Sequence, residues 1–271
     1  MSPRFSRTAR TKAGALVASA AALHSAGLLH SAPAAAATAP AAKTSAHATV
    51  AVLDLDATGG TPVVRGADRT YDTASIVKVD ILAALLLRAQ DAGRRLTPAE
   101  RDLAEPMIRR SDNAAANALW RRIGRAPGLA AANERLGLTS TKGGPGGKWG
   151  LTRTTASDQI RLLRAVFGSG GAAHKGSGGL DPDSRGYVRS LMSRVVPEQT
   201  WGVSAIAGPG SGKALKNGWL QRNTTGLWDV NSVGQVSAGG HRYLVAVLSD
   251  GSASMSDGVR LVERTARSAV D

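Results

Sequence analysis

The 271-residue chain is predicted to fold as an α+β protein: an antiparallel sheet flanked by helices, with a helical subdomain inserted between its strands. Two observations predict this. Segments rich in β-branched residues stand at both ends of the folding portion, and the long middle between them has helical periodicity broken by Gly and Pro. With 42% hydrophobic residues the chain can bury a substantial core, as one large domain or two closely packed subdomains.

In chain order, Arg4, Arg7, Arg10 and Lys12 precede an apolar run from Ala13 to Leu29, followed by Pro33 and the small-residue site Ala35-Ala36-Ala37. This is the pattern of a secretory signal peptide over residues 1–37, with cleavage near Ala37. A membrane anchor fits less well, because Ser19, His24 and Ser25 interrupt the run and His30 closes it. A span needs roughly 20 apolar residues. An Ala/Pro linker over 38–47 leads to the domain, 48–271.

Ala48 to Leu55 is predicted as a strand through Val50, Val52 and Leu53, with Thr61 to Arg65 as an edge partner across Gly59-Gly60, Pro62 marking the edge. Ser75 to Ala92 is predicted as a helix. Val77, Val79, Ile81, Leu82, Leu85 and Leu86 leave it little polar surface, so it should be buried. The helical part runs from about 97 to 167, with Pro98 at a helix start, and Gly143 to Gly150 holds five glycines and a proline and must be a loop. After a second glycine-rich stretch, Gly168 to Gly179, comes a helix around Arg185 to Val195. Strands follow over Ala214–Leu220, Val230–Ser237 and Tyr243–Leu248, with Gly239-Gly240 as a hairpin turn between the last two. Val259, Val262, Ala266 and Val270 close the chain at helical spacing.

There are no cysteines, which removes disulfides, thiolate catalysis and cysteine-bound zinc. The five histidines, at 24, 30, 47, 174 and 241, are too scattered for a metal site, and no cofactor is expected. The formal charge of +14 falls to +10 without the four basic residues of the leader. A dispersed solubilising surface accounts for this balance, and an anionic cell-wall polymer is the partner it would attract. Aromatic residues make up only 4% of the chain, too few for the stacking stripe of a nucleic-acid binder. A secreted or cell-wall-associated monomer is expected.

Three short motifs carry the chemistry: Ser75-Ile76-Val77-Lys78, Ser111-Asp112-Asn113 and Lys216-Asn217-Gly218. On a helix Ser75 and Lys78 lie one turn apart on one face, so the amine can reach the hydroxyl. Burial would lower the lysine pKa and free its lone pair to take the serine proton. A serine at a helix start also has backbone N–H groups and the positive dipole end beside it, where an oxyanion would develop. Ser111 could relay a proton and Asn113 could hold a substrate amide, although Ser, Asp and Asn also favour the helix N-cap. Lys216, taken alone, reads as a solvated surface lysine; within the motif it offers a positive charge to a substrate carboxylate.

The three motifs in this order are the signature of class A β-lactamases and penicillin-binding proteins, the last here as K-N-G. From Ala48 to Asp271 the chain resembles the penicillin-recognising serine hydrolases, with a β-lactamase/transpeptidase-like fold, and Ser111-Asp112-Asn113-Ala114-Ala115-Ala116-Asn117 extends the likeness. The resemblance implies Ser75 as nucleophile, Lys78 as base and Ser111 as proton relay. It implies a substrate cleft lined by Asn113, Lys216, Asn217, Gly218 and Trp219, with the N–H groups of Ser75 and Trp219 as oxyanion donors. The expected substrate is a small β-lactam or a peptidoglycan-derived D-alanyl compound.

One family element is missing. Class A enzymes hydrolyse the acyl-enzyme with a glutamate on a loop after the second motif, and between Arg135 and Ser157 this chain has neither Asp nor Glu. Glu134 and Asp158 flank the gap without an obvious path to an acyl carbonyl. The stretch from Ser75 to Ser111 is also shorter than the family's, which implies a more open cleft. Acylation without efficient deacylation is therefore expected. A D,D-peptidase or esterase using the same serine and a non-catalytic β-lactam- or wall-binding protein are the alternatives. Gly208-Pro209-Gly210-Ser211-Gly212-Lys213 is no phosphate loop, since Ala207 and Ala214 stand where glycine and a hydroxyl residue are required.

Overall fold

A computed structural model describes residues 45–168, 178–208 and 210–270. The expected leader, 1–37, and the linker up to residue 44 lie outside the described residues, as does His174.

Five strands form one antiparallel sheet in the order β2-β1-β7-β6-β5: β1 (His47–Asp54), β2 (Val63–Arg65), β5 (Lys213–Gln221), β6 (Trp228–Ala238) and β7 (His241–Ser252). A two-stranded ribbon pairs β3 (Tyr71–Asp72) with β4 (Arg153–Thr154). Gly239 and Gly240 have φ of 56° and 85°, the left-handed pair that a two-residue hairpin needs, and Ala238 faces His241 across it. β5 and β2 are the sheet edges, and β5 faces the helical half of the molecule.

Both faces of the sheet are covered. Side chains alternate along a strand, so Val50, Val52, Val245 and Val247 pack with Val262 and Ala266 of α7 (Met255–Val270). Ala51, Leu53, Leu244, Ala246 and Leu248 point the opposite way, into the core shared with the other helices. At the heart of that core lies α1 (Val77–Asp91), in which every residue from Val77 to Leu87 is buried. Its sequence is apolar nearly all round because it has no solvent face to serve.

The helical stretch expected over 97–167 contains α2 (Pro98–Arg109), α3 (Asn113–Arg122), α4 (Arg125–Leu136) and α5 (Ala156–Phe167). The first begins at a capping box: Thr97 Oγ1 accepts from the Glu100 N–H at 3.2 Å, and Glu100 Oε2 accepts from the Thr97 N–H at 2.8 Å. α5 packs on β1, β6 and β7. It is followed by α6 (Pro182–Met192), a few residues earlier than the sequence predicts because Asp181 caps it, accepting from the Ser184 N–H at 2.6 Å. Among the described residues no helix is long and apolar enough to cross a membrane.

Candidate active site

The N-terminal end of α1 brings the three motifs together. The helix does not start at Ser75: a 3₁₀ turn, Ala74–Ile76, precedes it, entered through Ala74 at φ 46°. A positive φ at a residue bearing a Cβ is a cost, held here by the surrounding packing. Asn231, fully buried on β6, contributes by donating to the carbonyls of Asp72 at 2.9 Å and Thr73 at 3.2 Å while accepting from the Ser249 N–H at 3.0 Å. Sequence reasoning passed over this asparagine, since nothing local marks it.

Lys78 is fully buried, and its Nζ sits 2.9 Å from Ser75 Oγ, 2.7 Å from the Ser111 carbonyl, 3.1 Å from Ser111 Oγ and 2.8 Å from Asn113 Oδ1. Burial lowers its pKa to about 7, against a weaker opposing pull from the Asp112 charge. Two of the four neighbours, the carbonyl and the amide oxygen, can only accept. A neutral amine has two N–H donors and one lone pair, so those acceptors take both donors and leave the lone pair for the serine hydroxyls.

Ser111 adopts φ 56° in the turn before α3, which aims its carbonyl and its hydroxyl at the two lysines together. The N-cap role that competed for this motif falls to Asp112, whose Oδ1 accepts from the Ala115 N–H at 2.7 Å. Ser111 and Asn113 are thereby free for Lys78. Ser111 Oγ also lies 2.9 Å from Nζ of Lys216. At 1% exposure Lys216 is no surface lysine, and burial followed by the charge of Lys78 holds its pKa well below the ordinary lysine range.

β5 alternates as any strand must. Lys216 and Gly218 face the Ser75 side, and Asn217 faces the opposite side. Its Nδ2 donates to the carbonyls of Gln199 at 2.9 Å and Trp201 at 3.0 Å, and its Oδ1 accepts from Ser232 Oγ at 2.6 Å. The asparagine that replaces the family's threonine therefore anchors the 199–203 segment, and its fully buried amide does not line the cleft as expected. The Trp219 ring is on that outer side too, tilted against Trp201 with centroids 5.9 Å apart. Gly218 is there for space: a Cβ would lie 2.7 Å from the Ser75 nitrogen and 2.8 Å from the Ile76 nitrogen and the Thr73 carbonyl.

Trp149, inside the glycine-rich loop, lies over the other side of the site, its ring centroid 4.7 Å from Lys78 Nζ. Its indole N–H donates to Asn117 Oδ1 at 2.7 Å. Neither residue was singled out for chemistry from sequence, though Asn117 belongs to the extended second motif. The acids flanking the gap are both elsewhere. Glu134 is exposed on α4. Asp158 is fully buried, accepting from the Ser140 N–H at 2.8 Å, Thr141 Oγ1 at 2.7 Å and Arg161 at 2.6 Å. Among the described residues no cluster of His, Asp or Glu could hold a metal ion.

A family model described as the Beta-lactamase enzyme family matches residues 90–271, which takes in the second and third motifs and begins after the first. LppW, a protein named as a lipoprotein in Mycobacterium tuberculosis and Mycobacterium bovis, is 31% identical over 178 residues, covering 64% of this chain and 54% of its own. The chain thus spans about half the length of the curated relatives it matches. Among solved structures, PBP-A superposes with a TM-score of 0.67 at 23% identity over 83% of this chain and 89% of its own. The extended-spectrum β-lactamase TLA-1 does so with a TM-score of 0.68 at 17% identity, over 83% and 91%. These likenesses establish a common fold.

Proposed function

The chain belongs to the β-lactamase enzyme family, and from that premise we propose that it is an active-site serine hydrolase that forms an acyl-enzyme at Ser75 and releases it slowly. The observation that carries this reading is the hydrogen-bond arrangement at Lys78. Both donors of the neutral amine have acceptors, and the lone pair is left 2.9 Å from the Ser75 hydroxyl. A binding protein with no catalytic task has no use for a buried lysine, its pKa lowered to about 7, aimed at a serine.

In this reading Lys78 takes the Ser75 proton as Oγ attacks the substrate carbonyl, and the N–H groups of Ser75 and Trp219 hold the oxyanion. Ser111, between the two amines, passes the proton to the leaving group. Asn113 holds a substrate amide. A substrate carboxylate arriving near Lys216 would favour its ammonium form and offset the cost of burying it. The substrate class is a β-lactam or a D-alanyl peptide or ester, each with a carboxylate beside the scissile carbonyl. PBP-A, of the same fold, has been seen as an acyl-enzyme with penicillin G, which supports the β-lactam arm. A location outside the cytoplasm is proposed with it, from the leader-like N-terminus and the lipoprotein-named relatives.

The test is intact-mass spectrometry of the protein after mixing with penicillin G, followed by peptide mapping. A lasting adduct of penicillin mass on the peptide containing Ser75 is expected. No adduct, or one mapped to another residue, would end the acyl-enzyme reading. In the same assay Asp158→Ala should leave adduct decay as it is while lowering unfolding stability by about 2–3 kcal/mol, because it strands buried donors. If instead this variant prolonged the adduct at unchanged stability, Asp158 would be the hydrolytic base.

A further inference from the structure

We infer that Trp149, tethered by Asn117, is a fixed roof over Lys78 that excludes water from the acylated site and sets how long the acyl-enzyme lasts. The inference rests on the acyl-enzyme reading above and names the residue that controls its second half.

The roof is held at several points. Asn113 and Asn117 stand one turn apart on the same face of α3. One bonds Lys78 Nζ and the other the indole that covers it. Three residues further, Trp120 is buried, and its own indole N–H donates to the Gly146 carbonyl at 2.8 Å, so α3 pins the glycine-rich loop twice. The loop is closed on itself where the Gly144 N–H donates to Thr152 Oγ1 at 3.1 Å, and it is tied to the nucleophile's turn where the Thr73 N–H donates to the Thr152 carbonyl at 2.8 Å. A Cβ added to Gly150 would lie 3.8 Å from the Cα of Ala74, the residue before Ser75. Five glycines let the backbone make this tight cover, and the single large side chain among them that bears an aromatic ring is the one over Lys78.

Hydrolysis of an acyl-serine has fixed requirements. A water oxygen must attack the acyl carbonyl, a base must take one of its protons, and the carbon–Oγ bond must break with a proton returned to Oγ. Among the described residues Lys78 is the basic side chain that hydrogen-bonds Oγ, so the water it could activate must approach alongside its Nζ. That side is covered by an apolar ring face, which offers no acceptor for the water's other hydrogen. The missing acceptor acts against deacylation. Acylation needs no water on that side.

The experiment follows the penicillin G adduct by intact mass in wild type, Trp149→Ala, Trp149→Phe and Asn117→Ala, with formation and decay timed separately and thermal melts recorded for each. Trp149→Ala should shorten the adduct lifetime by about ten-fold or more, as opening the site to water removes a barrier of this order. Trp149→Phe, which keeps an apolar ring, should restore most of the lifetime. Asn117→Ala lies at an exposed helix position and keeps the test open should the tryptophan variant fail to fold; freeing the indole should shorten the lifetime by an intermediate factor. An adduct that forms in these variants and decays at the wild-type rate would overturn the roof. No adduct in wild type would overturn the acyl-enzyme reading itself, which is a separate and recognisable outcome.

Discussion

Lys78→Ala is expected to slow acylation of Ser75 by about 10²- to 10⁴-fold, the range that a general base contributes. The argument is electrostatic before it is chemical. Lys78 is fully buried and among the described residues no carboxylate forms an ion pair with it, so burial dominates and its pKa falls to about 7 from the usual 10.5. The base form is the unprotonated one. The acylation rate should therefore rise with pH, with unit slope below about 7, and level off above it. Lys78→Arg keeps a positive charge but supplies no base, because a guanidinium does not deprotonate in this range. It should be as slow as alanine and should lose the inflection near neutrality. Stopped-flow or mass-based acylation rates from pH 5 to 9 check both statements. An arginine variant acylating at the wild-type rate would mean that Lys78 serves only as a charge.

Gly218→Ala should cost about 10²- to 10³-fold in acylation, the scale of losing an oxyanion donor, together with about 1–3 kcal/mol of stability from overpacking. The glycine is not there for an unusual backbone angle; it is absent from the positive-φ residues. It is there because three backbone atoms of the Thr73–Ile76 turn lie within 2.7–2.8 Å of where a Cβ would stand. Backbone cannot rotate away as a side-chain end can. The strand must instead move off the turn, taking the Trp219 N–H away from that of Ser75. Acylation kinetics alongside a denaturant melt would check this, and an alanine variant with both values unchanged would show that β5 does not abut the turn.

Much of this architecture was legible in the residues because it depends on local pattern. β-branched and apolar runs marked β1, β6 and β7, and the all-round apolar character of α1 marked a central helix. Gly239-Gly240 fixed a hairpin, and Thr97 with Pro98 marked a helix start. The motifs could be located because their chemistry needs particular residues at particular spacings along one element, Ser75 and Lys78 above all.

Some of what was misread was also legible. Strand alternation alone forbids Lys216 and Asn217 from presenting their side chains to the same cleft, so an asparagine between two cleft-facing positions had to be spent elsewhere. The burial of Lys216 could not be foreseen in that way. A lysine on an edge strand is ordinarily solvated, whereas here the side chain is buried and Ser111, from a distant turn, meets its amine at 2.9 Å. The positive φ of Ala74 and Ser111 is likewise imposed from outside, since neither residue type favours it.

What the sequence determined by itself is therefore the set of elements, their order and the three motifs that the fold brings together. These follow from periodicity and from chemistry within a few consecutive residues. The tertiary structure alone decided the environment of those motifs: a buried site for two lysines, a glycine wedged against the Ser75 turn, and an indole over Lys78. Each of these joins residues from separate elements. Desolvation and steric exclusion depend on what stands opposite a group in space, and no local pattern encodes that.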